Sequence, residues 1–183
     1  MCGIFLATSK SSYEQLKLAN SDRGLIYSHD VIVAHGEPTV EFMVGHILQA
    51  TNPSEQHSHP SVIGETKLWH NGLIKKRFMT QHDYSGWDTA LLHKLVMGHF
   101  DGKQTLDHVD GSFACVYYNG TSLYFFRNQM SPLFVSDNHT APLALSSVRT
   151  ILTPHSVTSG TIYEITSETS YEVASTFTTT DVY

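Results

Sequence analysis

Apolar residues recur along this chain mostly at alternate positions or in short unbroken runs, and that pattern predicts a sheet-rich fold. Runs at about 2–8, 31–36, 41–49, 66–70, 112–118, 121–127, 132–136, 142–147, 161–166 and 171–177 have the length and the β-branched and aromatic content of strands. From Phe113 to Tyr118 the chain is apolar almost without a break, which suits a sheet covered on both faces. Asn119-Gly120 follows that run, and this dipeptide predicts a two-residue hairpin turn with positive φ at both positions. Two other segments repeat at helical spacing. Tyr13, Leu16, Leu18 and Ala19 mark a modest helix from Ser12 to about Ala19, and Trp87, Leu91, Leu92, Leu95, Val96 and Phe100 draw one stripe along a helix from Trp87 to Phe100. Asp88 falls in the first turn of the latter, where the helix dipole favours an anion. These elements predict sheets inside and helices outside.

Length and charge narrow the functional classes. A chain of 183 residues suffices for one well-buried core, and a single domain over 1–183 is expected. A net charge of -6 with only 11 Lys and Arg argues against nucleic acid or an anionic membrane as partner, because phosphates demand clustered cations. The basic cluster Lys75-Lys76-Arg77 is too small to change this. No apolar run approaches the roughly 20 residues of a membrane span, and the start of the chain lacks the pattern of a secretory signal. Cys2 and Cys115 do not make a disulfide framework, so a reducing cytoplasm is the expected location. His57, Ser58 and His59 lack the convergent Cys or carboxylate partners of a metal site.

The chemistry begins at Met1-Cys2-Gly3-Ile4-Phe5. An initiator Met ahead of a small residue is normally removed, and its loss here would place a free α-amine and a thiol on one residue. With a reference pKa of about 7.7–8.0, that amine is partly neutral near pH 7 and can take the thiol proton, directly or through water. Read by itself, Cys2 serves equally well as a small apolar residue opening a strand.

The order of further motifs resembles the class II glutamine amidotransferases, which include the glutaminase domains of glucosamine-6-phosphate synthase and asparagine synthetase. The resemblance runs from Cys2-Gly3-Ile4 through Arg23-Gly24, Gly45-His46 with Ala50-Thr51, His70-Asn71-Gly72 and Asp88-Thr89. It continues through Asp110-Gly111-Ser112-Phe113-Ala114, Arg127 with Ser131-Pro132-Leu133-Phe134, Ser146-Ser147 with Ile151-Leu152, and Ser159-Gly160-Thr161. What it implies is an α+β fold, the four-layer αββα sandwich of N-terminal-nucleophile hydrolases, with Cys2 on a central strand. The implied reaction is hydrolysis of L-glutamine to glutamate and ammonia through a thioester on Cys2, with no metal or organic cofactor.

Residue roles follow from the same resemblance. Attack of a thiolate on an amide carbon creates an oxyanion, which needs donors where the charge develops; the resemblance implies the Asn71 side chain and the Gly72 N–H. It also implies Asp88 on the substrate ammonium, Thr51 near the substrate carboxylate, and Arg23 and Arg127 as supports of the site. Each has an ordinary alternative: a tight turn for Asn71-Gly72, a helix-start acid for Asp88, a loop hydroxyl for Thr51, a surface residue ahead of a helix-ending Gly for Arg23. Cys115, inside an apolar run, is expected to be an inert core thiol.

One position departs from the pattern. Where the family carries an Arg that forks onto the glutamine α-carboxylate, this chain has Leu48, which cannot pair with a carboxylate. That departure keeps open an N-terminal-nucleophile hydrolase of another amide, and a degenerate binding or regulatory subunit is a third reading. The chain stops where a glutaminase domain stops, so a separate synthetase subunit receiving the ammonia is the expected partner.

Overall fold

The computed structural model describes residues 2–34, 39–49 and 59–179. Their elements are β1 (Gly3–Ala7), α1 (Lys10–Ala19), a 3-10 turn (Ser21–Arg23), β2 (Ile26–Ala34), β3 (Val40–Leu48), β4 (Ser61–Ile63), β5 (Thr66–Ile74), α2 (Lys76–Gln81), α3 (Asp88–Phe100), β6 (Gly111–Tyr118), β7 (Leu123–Arg127), β8 (Phe134–Val135), β9 (Ala144–Ser146), β10 (His155–Ser156), β11 (Thr161–Ile165) and β12 (Tyr171–Thr176). They form two six-stranded antiparallel sheets, one in the order β10-β8-β9-β1-β3-β2 and the other β12-β11-β7-β6-β5-β4.

Side-chain alternation along the strands generates the layers. From β1, Ile4 and Leu6 join Phe42, Val44, Trp69, Val116 and Phe125 in a core between the sheets. The intervening Phe5 and Ala7 face the other way and pack with Tyr13 and Leu16 of α1. In the second sheet, Ala114 and Val116 point to the shared core while Phe113, Cys115 and Tyr117 pack with Leu91, Leu92, Leu95 and Val96 of α3. Three apolar interfaces separate four layers, and the result is the αββα sandwich expected from the sequence. The unbroken run of β6 is explained by this: both of its faces are covered.

Several boundaries differ from the sequence expectation. The first helix starts at Lys10 because the Ser9 hydroxyl accepts the Ser12 N–H at 3.1 Å and caps it. The helix α2 was not expected; it carries no long stripe, and Phe78 and Met79 are held against the second core. The hairpin between β6 and β7 exists, but its loop has four residues, and only Gly120 takes positive φ, at +98°. Asn119 acts through its side chain instead, its Oδ1 accepting the N–H of Thr121 at 2.9 Å and of Ser122 at 2.8 Å. Most consequential is β5, which runs past its expected end at residue 70 and carries Asn71 and Gly72 inside a strand paired with Ala114 and Phe113.

Candidate active site

Cys2 leads into β1, the strand flanked by β3 and β9 in the middle of its sheet. The thiol is half-buried, with Sγ 3.8 Å from the Gln49 carbonyl just past the end of β3. Burial pushes its pKa above the ordinary value, and the negative charge of Asp88 adds to the rise. A thiol so placed needs a base to become nucleophilic.

The turn after α1 supports this end of β1. The Asn20 side chain donates to Leu16 O at 2.8 Å and to Ser146 Oγ at 2.9 Å, fastening the helix end to β9. Arg23 then reaches back, donating to Cys2 O and to Ser147 O, each at 3.4 Å. Gly24 lets the chain pass against β3, since a Cβ there would lie 2.3 Å from Leu48 O. Arg23 thus holds the Cys2 carbonyl.

Opposite, in the second sheet, Asn71 is buried and its Nδ2 donates to Ser147 Oγ at 3.0 Å, while the same oxygen accepts the Ile4 N–H at 3.0 Å. Ser147 therefore links β1 to β5, and Cys2 to Asn71 by way of Arg23. Gly72 has φ of +152°, and a Cβ there would lie 1.9 Å from Ser112 O, so no other residue fits. By strand alternation its N–H points to the same edge of β5 as those of His70 and Ile74, away from β6.

That edge is where β4 has stopped, its last pairing being Ser61 with Leu68. Histidine rings replace the missing strand. The His70 N–H donates to His59 Nδ1 at 3.3 Å, and His46 Nε2 bonds His70 O at 2.9 Å. The two rings stack with centroids 3.6 Å apart, and Trp87 meets His59 edge-on. The His70 ring itself is fixed between Thr89 Oγ1 at 3.0 Å and Ser112 O at 3.2 Å. Burial keeps all three neutral, pushing His46 down to about 3 and His59 and His70 below their usual range.

Asp88 opens α3 on the same edge. Its Oδ2 accepts the Ile74 N–H at 3.0 Å and its Oδ1 the Thr89 N–H at 2.7 Å. It therefore ties helix to strand, as a helix-start acid does, and keeps lone pairs to offer a ligand. Arg127, by contrast, braces the far part of the fold, donating to Val157 O at 2.6 Å and to the Asn128 and Ser131 carbonyls. Cys115 is fully buried, with its pKa well above the ordinary value. Thr51, with Ala50, His57 and Ser58, lies outside the described residues. Among the described residues no His, Cys, Asp or Glu cluster could hold a metal ion, and no helix is long and apolar enough to cross a membrane.

With this architecture in hand, solved structures of similar shape can be compared. No family model and no curated protein sequence matches the chain. The glutamine phosphoribosylpyrophosphate amidotransferase of B. subtilis superposes at a TM-score of 0.63 with 13% identity, over 94% of this chain and 48% of that one. An allosteric regulatory enzyme of purine biosynthesis gives 0.60 with 17% identity, over 96% and 49%. The fold is that of an N-terminal-nucleophile hydrolase. The chain spans about half the length of either relative, so at these identities it is the fold that is shared. Within the N-terminal-nucleophile fold, Cys2, Arg23, Asn71, Gly72 and Asp88 all lie around one end of β1 and one edge of β5.

Sequence reasoning named His46, His70 and Ser147 only as parts of motifs and gave them no task. The signal for the histidines was present: His46 continues the inward period of Phe42 and Val44, and His70 continues that of Leu68. A polar ring at an inward position must find partners. Nothing local pointed to Ser147, whose partners are 143 and 76 residues away.

Proposed function

We propose that the chain is a glutaminase of the class II amidotransferase type, hydrolysing L-glutamine through a γ-glutamyl thioester on Cys2 and passing ammonia to a separate synthetase subunit. The observation that carries this reading is the Arg23–Ser147 linkage, which ties the backbone of the only accessible thiol among the described residues to the buried Asn71 amide. Loss of Met1 frees an α-amine on Cys2. That amine takes the thiol proton, Sγ bonds to the amide carbon, and the carbonyl electrons move to oxygen. Collapse of this intermediate expels ammonia, which carries away the proton, and water then cleaves the thioester by the same steps.

The oxyanion needs donors, and the hydrogen-bond balance at Asn71 indicates how it supplies one. Ser147 Oγ already accepts from Ile4 N–H, while Asn71 Oδ1 is buried with no partner. Turning the amide over lets the serine hydroxyl donate to Oδ1 and leaves the NH₂ as a donor not committed to Ser147; the two ends of an amide have nearly the same shape. Gly72 N–H, aimed at the open edge of β5, supplies the second donor.

The reading is tested by intact mass before and after treatment with the glutamine analogue diazo-oxo-norleucine, together with an assay of glutamine hydrolysis. The expected result is a chain beginning at Cys2, a single adduct lost in Cys2→Ala, and turnover in the native protein alone. A native chain that keeps Met1, or one that never takes the adduct, would falsify it. Leu48 in place of Arg favours the second reading, hydrolysis of another amide, and a panel of amide substrates separates the two.

A further inference from the structure

Of the four strands that edge the two sheets, three are poor templates for another chain. β4 and β10 have three and two residues, and the register of β12 with β11 shifts between Ile162 and Tyr163. β2 has nine residues in unbroken register with β3, and among the described residues nothing pairs with its other side. Hydrogen-bond parity identifies the groups left over. Leu48 O accepts the Leu25 N–H, so the even-numbered residues of β3 bond towards β2; with Phe42 opposite Ile32 and Val44 opposite Asp30, the even-numbered residues of β2 bond back. Tyr27, His29, Val31 and Val33 therefore turn their N–H and C=O outward, and the Val31 N–H is met by the adjacent carboxylate, Asp30 Oδ1 at 2.8 Å. Leu25, Ile26, Tyr27, Val31 and Val33 are all exposed along this edge, a pattern that free edges avoid.

We propose that this edge joins a second copy of the chain, β2 pairing antiparallel with β2 across a two-fold axis at His29. The order of side chains selects both the occupant and the register. Outward from His29 the segment is polar once and then apolar three times in either direction: Ser28, Tyr27, Ile26 and Leu25 one way, Asp30, Val31, Ile32 and Val33 the other. A two-fold axis sets these arms against each other. Tyr27 meets Val31, Ile26 meets Ile32 and Leu25 meets Val33, each an apolar pair, while Ser28 meets Asp30, whose carboxylate turns from the Val31 N–H to the serine hydroxyl. An axis at Asp30 would instead oppose two carboxylates, and one at Val31 would set Val33 against His29. With the axis at His29 the outward-facing residues lie opposite one another, so the pairs at 25, 27, 29, 31 and 33 exchange two hydrogen bonds each, about the ten of a typical interface. Asp30 is the only carboxylate or ammonium on the strand, and Lys67 already pairs with it, so two copies approach without like-charge repulsion. Tyr27 is ordered in advance, its hydroxyl 2.7 Å from that of Tyr13, its ring under Lys17 and stacked on His29.

Sedimentation equilibrium of the full chain, with thiol cross-linking to fix the register, tests the pairing. The native protein is expected to have twice the mass of one chain at micromolar concentration. Val31→Lys, which puts an ammonium opposite Tyr27, should have the mass of one chain and a native circular-dichroism spectrum. Should that variant fail to fold, the cross-link decides alone. In a Cys2→Ala background, His29→Cys places two thiols on the axis, where paired Cα atoms lie about 5.5 Å apart, and mild oxidation should join two chains. Val33→Cys should not join them, because the two copies of position 33 are eight residues out of register, about 26 Å along the strand. A native protein that sediments as one chain, a dimer that survives Val31→Lys, or a link through position 33 in place of 29 would overturn the pairing. None of these readouts depends on glutamine hydrolysis.

Discussion

Asn71 and Gly72 show how the same dipeptide can be read in two ways. In isolation Asn-Gly favours a turn, because both residues tolerate positive φ. Here β6 pairs with them across the sheet, and Ser112 O occupies the space a side chain at 72 would need. Asn71 is then free to spend its amide on Ser147 and on a ligand. Replacing Asn71 with Ala should lower kcat roughly 10²- to 10³-fold if it stabilises the oxyanion, with little change in KM. Ser147→Ala should lower kcat less, because the amide survives and only its orientation is loosened. Equal kcat in native and Asn71→Ala protein would remove the donor role.

At the scale of elements, the edge of β5 is the place where the fold is least regular and most committed. β4 is too short to pair with His70, so two imidazole rings take the N–H and the C=O that a strand would have taken. A buried backbone donor left without a partner costs about 1–3 kcal/mol, and His59→Ala creates one at the His70 N–H while also removing the ring stacked on His46. The variant should lose at least that much stability in urea denaturation, and the His70 amide should exchange faster with solvent. An unchanged midpoint would show that water or another group replaces the ring. The helix α3 completes this edge, Asp88 holding the Ile74 N–H and Thr89 fixing the His70 ring.

Across the whole molecule, the buried neutral histidines set a limit on acid stability. His46 is pushed down to about 3 and His93, between Ser61 and Thr66, to about 4; His59 and His70 also lie below their usual range. Each binds a proton in the unfolded chain from about pH 6.5 downward but not in the folded one. Stability is therefore fully present above about pH 6.5 and falls as pH drops toward the folded values. Each such histidine steepens the fall by up to about 1.4 kcal/mol per pH unit. Denaturation midpoints should fall continuously from pH 6.5 to 5, and a flat profile across that range would mean these rings are charged or solvated in the native state. The core lined by α1 buries no histidine, so the loss should begin along α3 and the edge of β5, where these rings sit.

The periodicity of the sequence determined ten of the twelve strands among the described residues, all but the short β4 and β10, together with the two longer helices and the layering, because alternation and helical stripes record which faces are buried wherever the chain is regular. The resemblance carried by the order of its motifs also implied a thiol, an amide and a carboxylate as one chemical set. Only the tertiary structure decided that Asn71-Gly72 lies in a strand, that histidine rings stand in for a missing one, and that Ser147 joins the two sheets. Each of these depends on groups far apart in the chain meeting at a single edge, and local spacing holds no record of such meetings.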